Sequence, residues 1–380
     1  MFASMNILVN TRLLLNNKME GIGLFTHELM QRVVKKHPEH TFYFLFDRPY
    51  DLRFVYAPNV IPLVYGPQAR HPLLYILWFE HTIPKVVKKY HITLFFSPDH
   101  YLSLRAKVPT LLAVHDINFM HHPKYLPWLN AKYHLYFFPK FVNRAEHLVA
   151  VSHFTKNDLV SFFHLPNEKI DVVYNASNMP QGVLSTDEIQ QTRKKYAYGH
   201  SYFFYIGTLN QRKNIIRMMK AFDKFMDETQ ADISFVIGGR ALWTDQQMET
   251  AYQQLKYKDK IIFTGRLEQT EAKLLMGSAL ALIFVSLFEG FGVPILEAMS
   301  SGVPVITSNV TAMPEIGGDA ACYVNPLSVD EICTAMKCLY TDDSFKKELI
   351  QKGFQRVADF SWDKSADALW DALIKTIPEK

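Results

Sequence analysis

Short apolar runs that do not alternate with polar residues recur along this chain, separated by stretches with helical spacing. No other feature constrains the fold as tightly. A strand that is apolar on both faces must be buried on both, as in a parallel sheet covered by helices. In the first half such runs fall at residues 5–10, 41–46, 92–97, 110–115, 147–152 and 171–174, with helical patterns at 23–36, 74–89, 128–144 and 153–163. Ser152 suits the N-cap of the last of these. Residues 179–198 lapse into a polar stretch that reads as a linker, and the alternation then restarts. Strands are predicted at 202–206, 233–238, 260–264, 281–285, 303–307 and 322–324, and helices at 214–227, 245–257, 270–276, 293–300 and 329–340. The expected fold is α/β: two doubly wound, Rossmann-like parallel-sheet domains facing across a cleft. They would span residues 1–180 and 181–360, followed by a C-terminal helix at 361–380. The length of 380 residues agrees, because single cores tend to split beyond ~250–300 residues.

Composition narrows the function. Hydrophobic residues make up 48% of the chain and charged residues 21%, which excludes a disordered protein. The longest apolar run, near residues 73–79, is far short of the ~20 residues a membrane-spanning helix needs. The apolar start at 5–10 is too short for a secretory signal core, and the three cysteines (Cys322, Cys333, Cys338) form no CxxC pair. A reducing, cytoplasmic setting is expected. Residues 1–180 carry 19 Lys and Arg against 12 Asp and Glu, whereas residues 181–380 carry 22 against 25. The basic half would meet something anionic, either a phosphate-linked acceptor or the inner face of a membrane. No RNP, KH, helix-turn-helix or zinc-finger pattern occurs, so nucleic acid is not an expected partner.

In doubly wound folds ligands sit beyond the carboxyl ends of strands, so the loops there carry the chemistry. Gly21-Ile22-Gly23 opens a helix after the first strand, where glycine lets backbone amides approach an anion. It lacks the GxGxxG of a dinucleotide site, which argues against a nicotinamide dehydrogenase. His115 ends a buried strand. Arg212 and Lys213 follow the first strand of the second domain and precede a helix, a setting that suits a pyrophosphate. The sharpest signal is FEGFGVPILE at residues 288–297, where Glu289 and Glu297 bracket a glycine-rich turn. Each carboxylate offers two acceptor oxygens, which suit the vicinal hydroxyls of a ribose or hexose. The flanking Phe288, Phe291, Val293, Ile295 and Leu296 are too apolar for a free surface, so both glutamates need partners. No DxD sequence is present and the adjacent His121 and His122 are poorly spaced for a shared ion, so no metal or cofactor is expected.

These stretches together resemble the retaining family-4, or group 1, glycosyltransferases of the GT-B fold. The resemblance runs through GIGLFTHEL at 21–29, AVHD at 113–116, AVSHFTKNDL at 150–159, GTLNQRKN at 207–214, FVSLFEGFGVPILEAM at 284–299, GVPVITS at 302–308 and MPEIGGDAA at 313–321. It implies that Glu297 holds the nucleotide ribose and Glu289 the hydroxyls of the transferred sugar. Backbone amides of Phe291 and Gly292 would bind the sugar or phosphates. Arg212 and Lys213 would stabilise the diphosphate leaving group in place of a metal, Gly23 would let its loop reach the donor phosphate, and His115 would contact the donor sugar. The tail at 360–376 resembles the family's last helix, which returns to the first domain. Leu24 stands where many members carry Arg. The implied donor is a GDP- or UDP-sugar, with a lean towards mannose. The implied acceptor is a glycan or lipid-linked glycan in surface polysaccharide or lipopolysaccharide assembly. A sugar-nucleotide epimerase and a non-catalytic sugar-nucleotide-binding scaffold are the alternatives. The segments 72–89 and 119–128 are candidate membrane and acceptor elements.

Overall fold

The computed structural model describes residues 4–16, 19, 21–239 and 246–378. The chain divides into two compact units, residues 1–175 with 361–380, and residues 176–360.

The first unit is built on a seven-stranded, all-parallel sheet. Its strands are β1 (Asn6–Asn10), β2 (Thr41–Phe46), β3 (Val60–Val64), β4 (Leu94–Ser97), β5 (Thr110–Val114), β6 (His147–Ala150) and β7 (Ile170–Val172). They lie in the order β3-β2-β1-β4-β5-β6-β7. Every residue of β4, β5 and β6 is buried, which is why those runs show no alternation. Strand β3 escapes the sequence reading because Ile61 and Val64 face solvent and Pro62 interrupts the run, as an edge strand permits. The helices Trp128–Arg144 and His153–Phe163 match their sequence patterns, and the Ser152 hydroxyl caps the second by accepting the Thr155 N–H at 3.0 Å. The pattern at 74–89 is three pieces: Pro72–Leu77, a π-helical turn at Trp78–Thr82, and Ile83–Lys89. The helix Trp362–Lys375 also belongs to this unit. Trp370 stacks on His37, just past the end of the helix Gly21–Lys36, with ring centroids 3.5 Å apart, and Lys36 pairs with Asp367 at 2.6 Å.

The second unit carries a six-stranded parallel sheet in the order β10-β9-β8-β11-β12-β13. Its strands are β8 (Ser201–Ile206), β9 (Ile233–Gly238), β10 (Ile261–Gly265), β11 (Ala281–Phe284), β12 (Val305–Ser308) and β13 (Cys322–Val324). Two helices correct the sequence reading. The stretch taken as a linker holds the helix Thr186–Tyr196, opened by a reciprocal capping box between Ser185 and Glu188. Sequence patterning does not single out the helix Asp343–Val357, because only Leu349 and Gly353 of it are buried. Position 245, where the sequence starts another helix, lies outside the described residues; the observed element is Gln246–Gln253.

Both strand orders reverse direction once, between β1 and β4 and between β8 and β11. Crossovers leave those two strands towards opposite faces, so the loops at their carboxyl ends part and leave room for a ligand.

Candidate active site

At the switch point of the second sheet, the loop after β8 and the loop after β11 are tied together. Asn214 sits in the left-handed region (φ 60°) and donates from Nδ2 to the carbonyls of Val285 at 3.0 Å and Pro326 at 2.7 Å. The Leu287 N–H donates to the Arg212 carbonyl at 2.8 Å. The tie brings three of the predicted residues into one cluster. Arg212 donates from its guanidinium to Glu289 Oε2 at 2.7 Å and to the Phe288 carbonyl at 2.6 Å, while Lys213 Nζ reaches Glu289 Oε1 at 2.5 Å. The Glu289 N–H donates to Thr311 Oγ1 at 3.2 Å.

Glu289 is only 7% exposed. Burial by itself would push its carboxyl up, but Lys213 and Arg212 outweigh that and hold it down at about 2. The cluster is therefore two cations on one carboxylate, with a net positive charge beyond the carboxyl ends of β8 and β11. Such a site favours an anion, and a diphosphate best matches two adjacent donors.

The glycine-rich turn follows at once. Gly292 has φ 104°, a left-handed conformation that a side chain would strain, and it forms the N-cap of the helix Val293–Ser300 with Pro294 in the first turn. Phe288 and Phe291 are buried, and Phe291 packs edge-on to Phe360 with ring centroids 5.8 Å apart. Glu297 lies just past the first turn of this helix. Among the described residues, no hydrogen bond or ion pair reaches its carboxylate. Burial pushes it up to about 7, with Lys273 opposing. Two glutamates eight positions apart thus sit in opposite electrostatic settings, one held charged and one held near neutrality.

Gly23 and His115 lie in the first unit. A Cβ on Gly23 would come within 2.6 Å of the Leu13 carbonyl oxygen, so glycine is required for the helix Gly21–Lys36 to pass the loop after β1. That packing need stands beside the ligand role the sequence assigned. The Phe25 ring meets the His115 ring edge-on at 4.9 Å, which links the start of this helix to the loop after β5. His115 Nε2 donates to the Pro98 carbonyl at 2.8 Å, which places the ring's lone pair on Nδ1. Burial lowers its pKa, and contact with the Pro98 carbonyl and with Asp116 offsets this in part.

The sequence reading missed the groups that hold these loops. His100 (φ 69°) accepts the N–H of His115 at 2.8 Å through Nε2. Arg12 is buried against Asp99 at 2.6 Å and lies over the Tyr101 ring at 4.7 Å, directly at the first sheet's switch point. Arg12 gave a signal, being a charged residue immediately after a buried strand. Asn214, His100 and Thr311 gave none, since each acts through contacts far off in sequence.

Two family models match: "Glycosyltransferase Family 4" over residues 19–179 and "Glycosyl transferases group 1" over residues 188–356, which between them take in most of the chain. The chain belongs to the group 1 glycosyltransferases. This transferase is 28% identical over 298 residues to O-antigen chain mannosyltransferase B of Escherichia coli, covering 77% of this chain and 78% of that one. It is 27% identical to O-antigen chain mannosyltransferase RfbU of Salmonella typhimurium, covering 72% of each. The crystal structure of Anabaena HepE in complex with UDP and glucose superposes with a TM-score of 0.75 at 16% identity, over 97% of this chain and 99% of that one. The fold is that of the GT-B glycosyltransferases. The matched models are those of transferases, so the epimerase and non-catalytic alternatives are left without support. Among the described residues no group of three or more His, Cys, Asp or Glu side chains could hold a metal ion, and no helix is long and apolar enough to cross a membrane.

Proposed function

We propose that this transferase is a retaining, metal-independent hexosyltransferase that moves mannose from GDP-mannose to a glycan or lipid-linked acceptor. The acceptor belongs to surface polysaccharide assembly at the cytoplasmic face of a membrane. The observation that carries the reading is the Arg212–Lys213–Glu289 cluster at the switch point of the second sheet, a preorganised cation pair of the kind that stabilises a leaving diphosphate. The two curated relatives support the sugar and the setting, being O-antigen mannosyltransferases. In the reaction the bond between the anomeric carbon and the β-phosphate oxygen breaks, and a bond to the acceptor oxygen forms on the same face. The acceptor's proton passes to the departing phosphate oxygen.

Each residue takes a role its surroundings allow. Glu297 accepts from the ribose hydroxyls, replacing water on a carboxylate that no donor among the described residues reaches. Glu289 aims Arg212 and Lys213 and accepts from the hexose hydroxyls. The amides of Phe291 and Gly292, on the turn before the helix Val293–Ser300, donate to the sugar or phosphates. His115 accepts a sugar hydroxyl through Nδ1, because Nε2–H is committed to Pro98. Gly23 keeps the loop after β1 low enough for the donor phosphate to approach.

The test is thermal stabilisation by GDP, UDP and ADP, with and without magnesium, on the wild type and Glu297→Ala. Ligand at a hundred times its dissociation constant adds about 2.7 kcal/mol. A magnesium-independent shift with GDP alone, lost in the variant, is expected. No shift with any nucleotide would overturn the reading.

A further inference from the structure

One turn of the first unit grips His115 twice. Strands β4 and β5 run parallel with Ser97 opposite Leu112, and the same register carried past the strand ends sets His100 opposite His115. The ladder does not continue there, because His100 turns into the left-handed region (φ 69°). An amide at the end of a buried strand still needs an acceptor. The His100 side chain supplies it, with Nε2 accepting the His115 N–H at 2.8 Å and the Asp116 N–H at 3.4 Å. Pro98, in the same turn, takes the other end of the residue, its carbonyl accepting from the His115 ring Nε2 at 2.8 Å. The first grip fixes the backbone and the second the tautomer, which together aim the lone pair on Nδ1.

The backbone conformation is a strained one for histidine. It persists where the surroundings enforce it, and such residues gather beside functional groups. His164 is also left-handed, but it closes the helix His153–Phe163, an ordinary place for that conformation. His100 ends no helix. Glycine or asparagine would make the turn with less strain. What histidine adds is an acceptor on the far side of a ring, and the ring accepts only while neutral. Burial keeps it so, pushing its pKa well below the usual histidine range; His115, His134 and Arg12 add to the effect and the Asp99 backbone opposes it. Phe119 and Phe138 wall the ring, with centroids 5.9 and 6.4 Å away. The turn is in turn anchored at the switch point, where the Asp99 carboxylate accepts from Arg12 Nε at 2.6 Å, Asn10 Nδ2 at 3.0 Å and the Ser97 hydroxyl at 3.2 Å.

We propose that His100 is a positioning residue for sugar transfer, holding the backbone of His115 so that Nδ1 of that ring meets a hydroxyl of the donor hexose. This rests on the donor-sugar role given to His115 above. His100 acts only through His115. Without its acceptor the loop after β5 shifts, and a misplacement of about 1 Å at a positioning group slows an enzyme by up to roughly 10²-fold.

The experiment follows GDP release from GDP-mannose with water in place of the acceptor, GDP affinity by calorimetry, and NMR of the histidine ring nitrogens, all on the full chain. The variants are His100→Gln, which keeps an acceptor near the place of Nε2; His100→Phe, which keeps a ring and removes the acceptor; His115→Ala; and His100→Phe/His115→Ala. His100→Phe should slow release by roughly tenfold or more with GDP affinity unchanged. His100→Gln should keep most of the wild-type rate, an outcome that ring packing alone does not give. The double variant should be no slower than His115→Ala, as for groups that act as one unit. The His115 ring signals, identified by their loss in His115→Ala, should show Nε2 protonated in the wild type and His100→Gln, and a mixture of tautomers in His100→Phe. Additive losses in the double variant would overturn the proposal, as would an unchanged His115 tautomer in His100→Phe. A wild-type rate in His100→Phe beside a slowed His115→Ala would overturn the positioning role alone, whereas a wild-type rate in His115→Ala would remove the role of His115 on which it rests.

Discussion

Replacing Glu297 with Gln keeps the shape of the side chain and removes its ionisation, which isolates what burial does to this acid. In the folded protein the carboxyl titrates at about 7, against 4.5 when solvated. A raised pKa contributes stability that is fully present below the unfolded value and is lost as pH rises through the folded one. The wild type should therefore lose stability between about pH 4.5 and 7 and level off above. The interval corresponds to about 3 kcal/mol. Glu297→Gln does not pay this cost, so its advantage over the wild type should be near zero at pH 4.5 and reach about 3 kcal/mol at pH 8. For a unit of residues 176–360, that is a melting difference of roughly 6–12 °C. Nucleotide binding should run the other way. In the proposed role ribose hydroxyls donate to the carboxylate, which favours its ionised form. Wild-type affinity should accordingly rise roughly tenfold from pH 6 to pH 8, while the Gln variant binds more weakly with a flat profile. Thermal melts and calorimetric titrations across pH 5–8.5 read both effects. A stability difference independent of pH would refute the argument, because it would mean that Glu297 is solvated or paired in the folded protein.

Arg212→Ala should lower kcat by roughly 10²–10³ with a smaller change in nucleotide-sugar affinity, as expected for a donor aimed at charge that develops in the transition state; steady-state kinetics decide it. Gly23→Ala forces a methyl group to within 2.6 Å of the Leu13 carbonyl and should destabilise the first unit by about 1–3 kcal/mol, read as a lowered melting temperature.

Much of the fold was legible because its strands are buried on both faces. Runs such as Ala281–Phe284 or Leu94–Ser97 have no polar face that could be mistaken for a helix pattern. The elements that escaped were those whose burial is partial. Val60–Val64 sits at the sheet edge, and Thr186–Tyr196 and Asp343–Val357 each bury only one or two residues, so their periodicity is too faint to separate from a loop. In the candidate site, charged residues beside glycines at strand ends were readable. Arg212, Lys213 and Glu289 were each picked out, although their pairing was not, since it depends on Asn214 pinning two loops 71 residues apart. That Trp128, Leu135 and Tyr136 of the helix Trp128–Arg144 are exposed was hidden for a related reason. A helix apolar on both sides gives no sequence cue as to which side faces out.

The two glutamates show why residue type alone does not assign a role. Glu289 and Glu297 share one segment and one apolar neighbourhood, and burial acts on both in the same direction. What separates them is the company each keeps. The loop after β8 delivers two cations to Glu289, and the helix Val293–Ser300 carries Glu297 away from them. A carboxylate already saturated with cations cannot respond to a neutral diol as strongly as one that has no donor, whereas it can hold those cations rigid against a diphosphate. In the proposed function the same geometry divides the work between leaving-group stabilisation at Glu289 and nucleoside recognition at Glu297. It also requires the two to respond differently to pH. The advantage of Glu297→Gln over the wild type grows between about pH 4.5 and 7, whereas Glu289→Gln, which takes a negative charge away from Arg212 and Lys213, should destabilise by the same amount at pH 8 as at pH 5, because Glu289 stays ionised throughout that range.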